Sequence, residues 1–106
     1  MEIYNKLVRD NNPKIISAQG KIVKIRILGE EEYKQELLKK LIEESNEALE
    51  AKDKEGLSKE LGDLLTVIDY VIKAFALDKK EILSFKNEKK RIRGGFDKRI
   101  FLESVE

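Results

Sequence analysis

Residues 41–63, LIEESNEALEAKDKEGLSKELGD, decide the fold. They join two helical runs across a short break. Before it, Leu37, Leu38, Leu41, Ile42, Ser45, Ala48 and Leu49 fall on one arc at about 100° per residue, so a helix is expected over roughly 31–52. Asp53-Lys54-Glu55-Gly56 interrupts that periodicity. After it, Leu57, Leu61, Leu64, Leu65, Ile68, Val71, Ile72 and Phe75 mark a second helix to about Leu77, widened by Val67, Tyr70 and Ala74. Helices so closely joined are antiparallel neighbours. The second apolar face is too broad for a helix covered on one side, which predicts a central position or a subunit interface.

Acids interrupt the seam this hairpin implies. Glu44/Glu47 and Glu60/Asp63 are both spaced i,i+3, so each pair lies on one side of its helix. At ~1.5 Å per residue, both pairs lie roughly 6–13 Å from the turn, at matching heights. Glu44 sits between Leu41 and Ala48 inside the apolar stripe, and Glu60 sits likewise between Leu57 and Leu64. Glu47 and Asp63 border the stripes. Four carboxylates therefore point to a seam where a stable hairpin prefers Leu. Two like charges ~4 Å apart repel by about 4 kcal/mol at an effective dielectric of ~20. Protonation, basic partners or a divalent cation must compensate. Any one of these acids reads equally as a solvated helical Glu, but four in register favour a metal. With oxygen donors alone the ion is hard, Mg²⁺ first and Mn²⁺ second.

Composition narrows the chemistry further. The 106 residues contain no cysteine and no histidine, which removes disulfides, thiolate nucleophiles, Ser-His and Cys-His catalysis, and the usual ligands of zinc, copper and haem iron. One domain, 1–106, is expected. Charged residues make up 41%, well above the usual roughly 25%, yet the net charge is only +1. Bulk charge thus gives no reason to expect nucleic acid or a membrane surface. No segment approaches the ~18 apolar residues of a membrane span, and the N-terminus lacks the apolar core of a signal peptide. A soluble, cytoplasmic protein is the expectation.

Outside the hairpin, Asp10-Asn11-Asn12-Pro13 reads as a cap and an N1 proline launching a short helix to Ala18, stopped by Gly20. Residues 21–28, KIVKIRIL, alternate with period two and predict a strand; residues 99–105, RIFLESV, are its best partner. Such a ribbon is marginal unless it lies on helices. Asp78, with Glu81 three residues on, resembles a capping box and starts a last helix to about Ile92, stopped by Gly94-Gly95. On that helix Lys86, Lys90 and Arg93 share a basic face, with Lys89 beside it. They are either phosphate contacts or simple complements of the helix dipole. Arg9 and Asp10 read alternatively as an ion pair anchoring the N-terminal segment. Phe96 either stacks on a base or plugs the core, and Tyr70, Val67 and Ala74 line either a base pocket or a dimer seam.

Glu43-Glu44-x-x-Glu47 followed by Glu60-x-x-Asp63 resembles the EExxE…ExxD signature of the all-α nucleoside triphosphate pyrophosphohydrolases, the MazG-like and phosphoribosyl-ATP pyrophosphohydrolase-like group. The twelve intervening residues fit its short linker. The N-terminal YNKLVRDNNPKII and the C-terminal KKRIRGGF resemble the ends of a small phosphoribosyl-ATP pyrophosphohydrolase-like branch, so the likeness covers nearly the whole chain. Lys59 departs from it, standing where many relatives carry a second acid.

The resemblance implies a mainly α fold: a helical-hairpin core in a MazG-like bundle, with a minor β-ribbon. It implies hydrolysis between the α and β phosphates of a nucleotide to the monophosphate and pyrophosphate, in a homodimer or homotetramer. Glu44, Glu47, Glu60 and Asp63 would be metal ligands, and Glu43 the base or outer acid for the attacking water. Arg9, Lys86, Lys89, Lys90, Arg93, Gly94 and Gly95 would meet the substrate. House-cleaning of non-standard nucleotides is the leading role. Phosphoribosyl-ATP hydrolysis and a non-catalytic helical binding module are the rivals.

Overall fold

The computed structural model describes all residues, 1–106, and its regular elements are all helices. Its elements are α1 (Asn12–Ser17), α2 (Glu30–Glu50), α3 (Lys54–Ala74) and α4 (Lys79–Arg93). The chain forms two compact units, Met1–Phe75 and Ala76–Glu106.

In the first unit α2 and α3 pack against each other as the expected hairpin. Its connection is tighter than the sequence suggests. Only Ala51, Lys52 and Asp53 separate the helices, and Gly56 belongs to the first turn of α3. Asp53 caps that turn, its Oδ1 accepting a hydrogen bond from the Gly56 N–H at 2.7 Å. A Cβ on residue 56 would stand 3.0 Å from that same oxygen, so the glycine makes room for the cap rather than breaking a helix. Glu30, Glu31 and Glu32 occupy the first turn of α2, where they complement its dipole. Leu37 on α2 and Val67 on α3 are the enclosed apolar side chains, at 4% and 8% exposure. Leu41, Leu64 and Val71 are half-buried beside them. Leu38, Ile42 and Leu49 of α2 and Leu57, Leu61, Leu65 and Ile68 of α3 form apolar stripes open to solvent. α3 ends at Ala74, short of the expected Leu77, where Ala76 turns left-handed at φ 51°.

Ahead of the hairpin, Pro13 opens α1 as expected and Gly20 turns the chain at φ 81°. In the second unit Asp78 caps α4 by accepting from the Lys80 N–H at 2.9 Å. Gly94 ends the helix at φ 83°, a backbone setting that glycine adopts without steric cost.

The expected β-ribbon does not form. Residues 21–28 and 99–105 contain no strand. Ile22, Ile25 and Ile27 stand in solvent, as do Ile100, Phe101, Leu102 and Val105. Alternation supplies an apolar face, but a two-stranded ladder holds only when that face is buried. Here only Val23 and Leu28 are half-buried, and the other apolar side chains of both segments stay exposed.

Candidate metal centre

The hairpin brings Glu44, Glu47 and Glu60 together, with one carboxylate oxygen from each lying within 4.8 Å of the others. Glu44 enters from the middle of α2 and Glu60 from the second turn of α3, at equal heights above the connection. Glu44 is buried at 7% exposure. Its Oε2 and the Oε2 of Glu60 are enclosed without a hydrogen-bond partner. Buried polar oxygens are normally satisfied, and leaving one unpaired costs about 1–3 kcal/mol. The seam thus holds two acceptors that the protein itself does not satisfy.

Electrostatics tell the same story. Burial pushes Glu44 up to about 7, helped by hydrogen bonding and charge repulsion from Glu47 and by the charge of Asp63, while Lys40 opposes the rise. Glu60 is raised too, first by its close approach to Glu47, then by burial and by the charges of Glu47 and Asp63. These are carboxylates short of positive charge.

Asp63 does not join the three. Arg9, from the N-terminal segment, donates from Nη2 to Asp63 Oδ1 at 2.9 Å. The alternative partner for Arg9, Asp10, is not the one chosen. Glu43 lies beside the cluster and is held on both oxygens: Lys6 donates to Oε1 at 2.7 Å and Lys40 to Oε2 at 2.8 Å. Burial alone would raise Glu43, but hydrogen bonds from Lys40 and Lys6 outweigh it and hold the group below the ordinary carboxylate range. Lys40 also stands 3.9 Å from Glu44 Oε1. Lys59 pairs at 3.5 Å with Glu55 on the exposed face of α3, so the departure from the family pattern leaves the cluster untouched.

The first unit therefore assembles Arg9, Glu43, Glu44, Glu47, Glu60 and Asp63 at one end of the hairpin. Lys86, Lys89, Lys90, Arg93, Gly94 and Gly95 belong to the second unit. There Lys89 and Arg93 line a shallow, open depression of about 420 Å³ with Phe85, Glu88 and Ile92. Sequence reasoning missed Lys6 and Lys40. Lys40 was within reach, since its spacing to Glu43 and Glu44 is i,i+3 and i,i+4. Lys6 meets an acid 37 positions away, which no local pattern reveals.

The donor set suits a hard divalent cation. All donors are oxygens, the ligand type a hard divalent cation takes, and one from each of the three carboxylates lies within 4.8 Å of the others. Residues 32–92 match the family model of the MazG nucleotide pyrophosphohydrolase domain. The match covers more than half of the chain, all of the acidic cluster and most of α4, and the chain belongs to that family. No curated protein and no solved structure matches it. Membership carries nucleotide pyrophosphohydrolase chemistry in its broad form and a general dependence on divalent metal.

Proposed function

We propose that the chain hydrolyses a nucleoside triphosphate or related nucleotide between its α and β phosphates, releasing the monophosphate and pyrophosphate, with Mg²⁺ as the working ion and Mn²⁺ as a substitute. House-cleaning of non-standard nucleotides in the cytoplasm is part of the same proposal. The observation that carries it is the convergence of Glu44, Glu47 and Glu60, two of them with buried unpaired oxygens, at a seam position that packing would give to Leu.

Glu44, Glu47, Glu60 and Asp63 are the proposed ligands. A cation held by these four would supply the charge neutralisation at phosphate oxygens that phosphoryl transfer chiefly requires. Glu43 is proposed to act on the attacking water. Held ionised by two lysines, it is a weak proton acceptor but a strong hydrogen-bond acceptor, and each oxygen keeps a free lone pair. Orienting the water suits it better than removing its proton. Arg9 and the α4 residues Lys86, Lys89, Lys90 and Arg93, with Gly94 and Gly95, are proposed phosphate contacts on grounds of charge and of the motifs they belong to.

We propose one domain over 1–106, because the family match runs through both compact units. A homodimer or homotetramer belongs to the same proposal. The open stripes of α2 and α3 are the surface a second copy would cover.

Purified protein, Mg²⁺ and a panel of ordinary and modified triphosphates plus phosphoribosyl-ATP test the reading. Pyrophosphate and monophosphate from triphosphates are expected. Turnover of phosphoribosyl-ATP alone would move the substrate assignment to that compound. No turnover of any substrate, together with unchanged metal binding in Glu44→Gln and Asp63→Asn, refutes the enzyme.

A further inference from the structure

Two cations of the N-terminal segment reach the acidic end of the hairpin, and they are held differently. Lys6 meets Glu43, a half-buried acid that Lys40 grips from the other side. Arg9 meets Asp63 in an exposed pair, with the two side chains 60% and 45% accessible. Asp63 lies one helical turn from Glu60 and borders the same seam, yet it is the acid of the set that stands outside the converging three. The simplest reason is that a guanidinium already occupies it.

We propose that Arg9 serves as a displaceable counter-ion, holding Asp63 while the acidic cluster is free of metal and leaving it when a divalent cation binds, with its segment still pinned through Lys6 on Glu43. The inference rests on the reading of Asp63 as a metal ligand. Energies favour the exchange. An exposed ion pair contributes little, so breaking it costs little and strands no buried charge. Drawing a fourth carboxylate to a divalent ion gains more than keeping it on a solvated guanidinium. The Lys6–Glu43 contact is more enclosed and shared with Lys40, so it holds. The freed guanidinium is a planar fork suited to two phosphate oxygens, and it stays within the reach of a pinned segment. Cation binding thereby prepares the cationic contact that the nucleotide needs next.

Side-chain NMR of the whole protein tests this with Mg²⁺ as the only added ligand. The paired guanidinium of Arg9 should give restricted Nη–H signals, lost in Asp63→Asn. Saturating Mg²⁺ should shift the carboxyl signals of Glu44, Glu47, Glu60 and Asp63 and release those of Arg9. Carboxyl shifts with an unchanged Arg9 overturn the inference and leave the metal site standing. No carboxyl response at all removes the metal reading and this inference with it. Calorimetry gives an independent sign. Arg9→Gln should bind Mg²⁺ about two- to fivefold more tightly, the factor matching an exposed pair, and should raise KM for a triphosphate. Arg9→Lys, which can still pair with Asp63, should return both toward wild type. Unchanged or weaker Mg²⁺ binding in Arg9→Gln contradicts the exchange.

Discussion

Leu37 and Glu44 are seven residues apart on α2, and Glu60 and Val67 are seven apart on α3. Two turns of helix, about 10.5 Å, separate the members of each pair, so both pairs occupy equivalent positions along one seam. At the far end the seam is closed by Leu37 and Val67, the enclosed apolar residues of the chain. Near the connection the equivalent positions carry Glu44 and Glu60, with buried oxygens that no protein group satisfies. The backbone is the same at both ends; only the side chains differ. One end holds the hairpin together and the other is held together by it. The acids are therefore a cost to the fold that the site retains.

Four substitutions or conditions would break or sharpen this contrast, read at fixed protein concentration because the chain is proposed to associate. Leu37→Ala should destabilise by about 2–5 kcal/mol in chemical denaturation, since it opens a cavity in a core of very few residues. Glu44→Leu should do the opposite, raising metal-free stability by roughly 1–4 kcal/mol as a buried charge gives way to an apolar side chain, while Mg²⁺ affinity falls. Loss of stability in Glu44→Leu would show that the acid supports the fold.

The third effect concerns pH. Glu44 is raised from 4.5 to about 7 in the folded chain, so between those values the folded state keeps a proton that the unfolded state has released. By linkage the metal-free protein loses stability as pH rises through that window and levels off above it. Glu60 shifts in the same direction. Glu43 is lowered, so its contribution is lost only as pH falls below the ordinary carboxylate range. Melting temperatures should therefore be higher at pH 5 than at pH 8 without metal, and added Mg²⁺ should raise them more at pH 8. A flat profile would mean the acids are solvated. Smallest is Asp53→Ala, expected to cost about 1 kcal/mol through the lost cap on Gly56 while leaving Mg²⁺ affinity within twofold.

The hairpin was legible in the sequence because its signals are periodic and local. Seven-residue recurrence of Leu and acid sets both which face turns inward and which heights match. The breaker was misplaced for an equally local reason: Gly56 looks like a turn residue, but Asp53 Oδ1 needs the space that its missing Cβ leaves. The ribbon failed because alternation in 21–28 and 99–105 states a preference for a pleated surface without supplying anything to cover it. Three carboxylates of the candidate site could be placed from spacing alone. The cationic side of that site could not, since Lys6 and Arg9 reach acids 37 and 54 positions away. Such contacts depend on how an irregular segment crosses a helix pair, and helical periodicity carries no information about that.

Mn²⁺ binding followed by electron paramagnetic resonance asks whether the acidic end of the seam is a divalent-cation site. The protein should remove free Mn²⁺ from solution at a saturable site, Mg²⁺ should compete for it, and Glu44→Gln/Glu60→Gln, folded by circular dichroism, should lose it. Equal Mn²⁺ binding by that double variant, or none by the wild type, contradicts the account.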